Sequence, residues 1–252
     1  SDVSREIDVV EEVSRIYGYD KIPPQVPSSG FVDLSNNESE EFKDKVKSSL
    51  TGLGFDEVIN PGFTKKTIET SEKKNVPIKN PMSERREALR SELCSGLIQN
   101  AQSNYQKSTD SIAIFELGKV FSTEEDGFSE HYSVAALLTG RRYLSMEGKS
   151  SFDFWDLKGR LEEFLNDLGL KKYEFNEGGP DFFHPTSKSV LKIKGEELGY
   201  CGELSPSEVT KLDLPEKVHL FELNFDVLAE NITETRSSTE PSKYPSSKRD
   251  LS

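Results

Sequence analysis

Apolar residues recur at helical spacing along much of the chain and gather into short blocks elsewhere. Ile7, Val10, Val13 and Tyr17 fall on one stripe of a helix that starts near Arg5, with Asp2 just upstream and Gly18 as its stop. "KIPPQVPSSG" then sets Pro23, Pro24 and Pro27 close together, which neither a helix nor a central strand tolerates, so a linker and domain boundary are expected there. Phe42, Val46, Leu50 and Leu53 predict a helix from Glu38 to Leu53, with Asn37 as cap, Glu40 three residues on, and Gly54 at its end. "FDEVINPGF" reads as a strand closed by Pro61. Leu89, Leu93, Leu97, Ala101 and Tyr105, spaced by four, predict one long helix from Glu84 to Lys107.

"IAIFELGKVF" and "HYSVAALLTG" are apolar on both sides, as strands covered on two faces are. "DFWDLKGRLEEFLNDLG" predicts a helix capped by Asp153, with Leu157, Leu161, Phe164, Leu165 and Leu168 inward. "SVLKIKGEELGYCGEL" predicts a hairpin about Gly195, and "VHLFELNFDVL" a further strand. From Ala229 to Pro241 apolar residues nearly vanish, which predicts a second linker. The order of elements is α+β, a sheet with helices packed on it.

Charge narrows the function classes. Lys+Arg 32 against Asp+Glu 45 gives a net charge of −13, a surface that repels phosphate and argues against a broad grip on nucleic acid. Cys94 and Cys201 are the only cysteines and lack C-x-x-C spacing, which speaks against a disulfide framework or zinc site and fits a reducing cytosol. The longest fully apolar run, Val134 to Leu138, is far too short to span a bilayer.

"LTGLGFDEVINPGFT" is similar to motif 1 of class II aminoacyl-tRNA synthetases, with Pro61 as the motif's proline. The opening "DVSREIDVVEEVSRIYGYDKIP", the pair "NPMSERREALRSEL" and "IFELGKVF", "FHP" at Phe183 to Pro185, "GEL" at Gly202 to Leu204 and the closing "YPSSKRDLS" follow in order. Together they resemble the β subunit of bacterial-type phenylalanyl-tRNA synthetase over nearly the whole chain. The resemblance implies three regions: 1–27, the end of a small domain plus linker; 28–240, a catalytically inactive class II synthetase-like core with a mainly antiparallel sheet flanked by helices; and 241–252, the truncated start of an anticodon-binding domain. It implies a cytoplasmic enzyme, a dimer of αβ pairs, whose α subunit handles ATP and charges tRNA(Phe). In that family motif 1 builds a subunit interface, and proofreading belongs to a domain upstream of Ser1.

The residues themselves point the same way on catalysis. Adenylation in class II sites needs an arginine on the motif 2 strand and a Gly-rich strand leading to a helix with a second arginine, because a planar, always-charged donor stabilises the developing negative charge. "IAIFELGKVF" offers only Lys119, and "VHLFELNFDVLAEN" has neither Gly nor Arg and is expected to run into a linker rather than a helix. Asp8, Glu11 and Glu12 share one helix face at i, i+3 and i+4, with Asp2 upstream. On pattern alone they are the solvated side of a helix, where Glu11 can also pair with Arg15. The resemblance implies instead a magnesium site formed by Asp2, Asp8, Glu11 and Glu12 at the contact with the α subunit, with oxygen ligands of the kind magnesium takes.

Other residues read as structural. His184 suits a turn, and "FHPTSKS" departs from the Gly-Arg that family members more often carry after the proline. Trp155, Phe152 and Phe154 suit a core or a subunit contact. Arg85, Arg86 and Arg90 read as a solvated helix face, with contact to tRNA or α-subunit acids as the functional reading, and Cys94 as an inert core residue. Two other functions compete: a free-standing tRNA- or nucleotide-binding module of synthetase ancestry, and a metal-dependent hydrolase using the four acids.

Overall fold

Long antiparallel pairing of two apolar strands builds the centre of the molecule. The computed structural model describes residues 3–25, 38–64, 75–81, 83, 86–109, 111–124, 127–142, 150–214 and 217–232. The chain divides into two units, Ser1–Asn37 and Glu38–Ser252. The boundaries expected at 27/28 and 240/241, and the closing "KYPSSKRDLS", lie outside the described residues.

In the first unit, α1 (Glu6–Tyr17) follows Arg5 and ends at Gly18, whose positive φ of 103° turns the chain while its N–H donates to Ser14 O. The predicted stripe forms, yet no described residue of α1 is buried; Ile7 is 61% exposed and Val13 60%.

In the second unit, β5 (Ser111–Glu124) and β6 (Gly127–Gly140) pair over their full lengths. β10 (Val218–Asn224) joins β6, then β9 (Glu196–Leu204), β8 (Phe183–Ile193) and β7 (Glu174–Asn176) extend the sheet on one side. On the other side β1 (Asp56–Glu57) lies parallel to β5, and every other pairing in this seven-stranded sheet is antiparallel. The two-residue turn Lys194–Gly195, both at positive φ, sets the β8–β9 hairpin where the sequence places it.

Strand alternation sends side chains to two separate cores. On one face α2 (Glu38–Gly52), α4 (Phe154–Asp167) and α6 (Phe225–Glu230) pack Val46, Leu50, Leu161, Phe164 and Leu228 onto Val134, Ala136, Leu138 and Phe221. On the other face α3 (Cys94–Tyr105) packs Leu97, Ile98 and Ala101 onto Ala135, Leu137 and Leu220, with α5 (Pro206–Lys211) at its margin through Val209. Asp153 caps α4, its carboxylate accepting the Asp156 N–H at 3.0 Å as the sequence implies.

Three expectations need correction. The long helix from Glu84 does not form: Ala88–Leu89 is instead β4, the centre of a second sheet between β2 (Phe63–Thr64) and β3 (Val76–Pro77), and the helix begins at Cys94. Arg90 cannot be helical because its N–H donates to Gly62 O and its carbonyl accepts from Phe121 N. The motif 1 strand ends at Glu57, not at Pro61, since beyond Val58 the backbone of Asn60 is taken up by a side chain. And β10 does run straight into a helix, α6, whose start is capped by Asn224 accepting from Asp226 N and Val227 N.

Candidate functional site: a glutamate-lined cavity and an anchored edge

A cavity of about 360 Å³ opens on the α3 side of the sheet. Its lining includes Glu92, Glu197 and Glu222 with His131, Ser133 and Tyr200, and none of the described residues lining it is lysine or arginine. Its chemistry is fixed by Glu222, which β10 projects beneath the start of α3. The Glu222 carboxylate accepts from Leu93 N (3.1 Å), Cys94 N (3.2 Å), Ser133 Oγ (2.9 Å) and Tyr200 OH (3.3 Å). The N-terminus of a helix is the ordinary place for a bound anion. Here the chain supplies that anion itself, so the positive end of α3 is already spent.

Burial first, and then the Glu222 charge, push both the Cys94 thiol and the Tyr200 phenol well up. Glu92, Cys94 and Glu222 do bring ligand atoms within 4.8 Å of one another. A thiol held protonated beside a fully hydrogen-bonded carboxylate is a poor metal ligand. Lys119, the one cation expected on the motif 2 strand, turns away and pairs with Glu130 at 2.6 Å.

A second polar cluster lies under the segment 58–63. Glu116, buried in β5, accepts from Asn60 N (3.1 Å), Asn60 Nδ2 (2.7 Å) and Arg90 Nη1 (2.6 Å). Arg90 also donates from Nη1 to Asn60 O (3.3 Å) and from Nε to Lys119 O (2.9 Å). Arg90 is therefore an interior strut rather than part of a solvated helix face; Arg86 is exposed, and Arg85 lies outside the described residues. Val58, Asn60 and Gly62 are held inward, while Ile59 (88% exposed), Pro61 and Phe63 (48%) form an outward row.

Of the four acids, Asp2 lies outside the described residues. Asp8 closes the start of α1, its Oδ2 accepting from Ser4 N (3.0 Å) and Arg5 N (2.9 Å), and these bonds hold its pKa below the usual carboxylate value. Glu12, not Glu11, takes Arg15, at 2.5 Å. Glu11 is exposed and makes no hydrogen bond or ion pair among the described residues. Asp8 Oδ1 is engaged by Arg5 at 3.3 Å and Glu11 is exposed; among the described residues Asp8, Glu11 and Glu12 do not form a group whose ligand atoms lie within 4.8 Å of one another.

His184 sits in β8, its Nδ1 3.0 Å from Thr186 Oγ1, in a local bond beside the register shift between Phe183 and Lys188. Phe152 and Phe154 pack against the core, whereas Trp155 is 70% exposed. Sequence reasoning passed over Glu116 and Glu222; the available signal was a single acid inside each of two otherwise apolar runs, Ile112 to Leu117 and Leu220 to Leu223.

The sequence matches the family model described as the phenylalanyl tRNA synthetase beta chain CLM domain over residues 22–225. It is 32% identical to the phenylalanine–tRNA ligase beta subunit of Syntrophus aciditrophicus, covering 99% of this chain and 33% of that protein. It is 33% identical to the beta subunit of the same name from Fusobacterium nucleatum, covering 100% of this chain and again 33% of the relative. The chain thus spans about a third of the length of the curated relatives it matches. Among solved structures, the pyrrolysyl-tRNA synthetase from Desulfitobacterium hafniense matches 75% of this chain and 67% of that one with a TM-score of 0.58 and 16% identity, a likeness of fold.

Proposed function

Because the chain belongs to the phenylalanyl-tRNA synthetase beta chain family, in the region of its CLM domain, we propose that it is the non-catalytic synthetase-like core of a cytoplasmic phenylalanine–tRNA ligase and scaffolds the α subunit. On this reading the α subunit holds ATP, activates phenylalanine and charges tRNA(Phe), while this chain contributes surface and rigidity.

The observation that carries the proposal is the Glu222 carboxylate at the α3 N-terminus. A triphosphate brought there meets three glutamates and finds no guanidinium, and the donors that could cradle a phosphate are already bonded. The Ile59–Pro61–Phe63 row, on an edge beside the short parallel strand β1, is the surface offered to the α chain. On and just upstream of α1, Asp2, Asp8, Glu11 and Glu12 would hold magnesium shared with that subunit, Glu11 being exposed and, among the described residues, without a hydrogen bond or ion pair.

Phenylalanine-dependent ATP–pyrophosphate exchange tests the inactive core. The chain alone is expected to give none above background, and the complex with the α subunit is expected to be active. Exchange by the chain alone would overturn the reading in favour of a nucleotide-handling module.

A further inference from the structure

An exposed row of three apolar side chains on an irregular segment needs something beneath it to hold its shape. Resting on the reading that this row meets the α subunit, we infer that Arg90, Glu116 and Asn60 form a positioning lock that fixes the row for docking. Every second residue of the segment is tied inward. Val58 N donates to Phe115 O (2.8 Å), Asn60 is held at its N, Nδ2 and O by Glu116 and Arg90, and Gly62 O accepts from Arg90 N (3.0 Å). With 58, 60 and 62 pinned, strand-like alternation leaves Ile59, Pro61 and Phe63 pointing out.

The lock is built into its surroundings. Gly118 leaves room for the guanidinium to cross β5, where a Cβ would collide with Arg90 Nη2, and a Cβ on Gly96 would come within 3.0 Å of Asn60 Nδ2. Glu116 is 2% exposed and the Arg90 side chain 12%. A buried pair of this kind is weak evidence for stability, since well-packed apolar replacements are often neutral or better. What it supplies is direction: three segments distant in sequence converge on one carboxylate, and the product is the geometry of the outward row.

The test uses the full β chain co-expressed with the α subunit. Asn60→Ala removes the Nδ2 bond to Glu116 and keeps both backbone ties, with Arg90 and Glu116 still paired. Arg90→Met with Glu116→Leu replaces the pair by apolar side chains and so guards against simple unfolding. The double variant is expected to weaken association by about five- to tenfold, the scale of a good interface residue, and Asn60→Ala by less, with the melting temperature of the free chain close to wild type in each. Ile59→Asp, a direct change to the row, is expected to weaken it at least as much. If Ile59→Asp weakens association and the two lock variants bind like wild type, the lock is overturned and the interface stands. If Ile59→Asp has no effect, the interface assignment fails and takes the lock with it.

Discussion

His219 faces the core from β10, fully buried, with Nε2 3.3 Å from Phe152 O and, among the described residues, no hydrogen-bond partner for Nδ1. The tautomer that donates from Nε2 leaves Nδ1 as a bare lone pair, and protonation would bury an N–H with no acceptor. Burial lowers its pKa, and the Glu203 carboxylate across the strand pair only partly offsets this, with Lys217 acting in the same sense as burial. The unfolded chain therefore takes up this proton first as pH falls. The neutral ring's contribution is present above the unfolded value near pH ~6.5 and is lost below it, with a slope of at most about 1.4 kcal/mol per pH unit for one proton. Asp8, whose folded pKa is lowered from the ordinary carboxylate value, acts in a lower window, so the two effects separate. Denaturant titrations from pH 7 to 5 should show a shallower fall of stability for His219→Gln than for wild type; parallel curves would rule this histidine out as the source.

At the scale of elements, α3 is where local sequence and tertiary structure part. Its first N–H groups are satisfied by Glu222, 129 positions from Leu93, and no window of sequence contains that cap. Periodicity of four therefore extends the predicted helix back to Glu84, across Ala88–Leu89, which the second sheet holds extended, and Arg90, which Glu116 ties down. By contrast α4 carries its own cap in Asp153 and its own apolar stripe, and the β8–β9 turn carries its own Lys-Gly, so both were legible. α6 was not, because six residues with Phe225 and Leu228 inward are too short to show a period. That "IAIFELGKVF" and "VHLFELN" carry no arginine could be read directly; the Glu222 carboxylate at the start of α3 could not. Glu222→Gln keeps the shape but sets an amide N–H against backbone donors, and should cost about 2–3 kcal/mol in urea denaturation. A loss below about 0.5 kcal/mol would mean that the N-terminus of α3 is satisfied in another way.

For the whole molecule, the proposed pairing would bring an acidic surface of net charge −13 against a partner, and a divalent ion between carboxylates is one physical means of lowering the repulsion among them. Asp8 is an ambiguous probe of this idea, because its carboxylate also closes the first turn of α1 and its removal would fray the helix. Glu11 is the clean one: exposed, on the same helix face, and without a bond to break. Glu11→Gln in the full β chain should leave the melting temperature unchanged. It should also shift the magnesium concentration needed for half-maximal association with the α subunit upward several-fold, read by light scattering across a magnesium titration against a chelator blank. Equal magnesium requirements for the two proteins would return the acids of α1 to the role of a solvated face, and would leave the apolar row at Ile59 as the surface on which pairing depends.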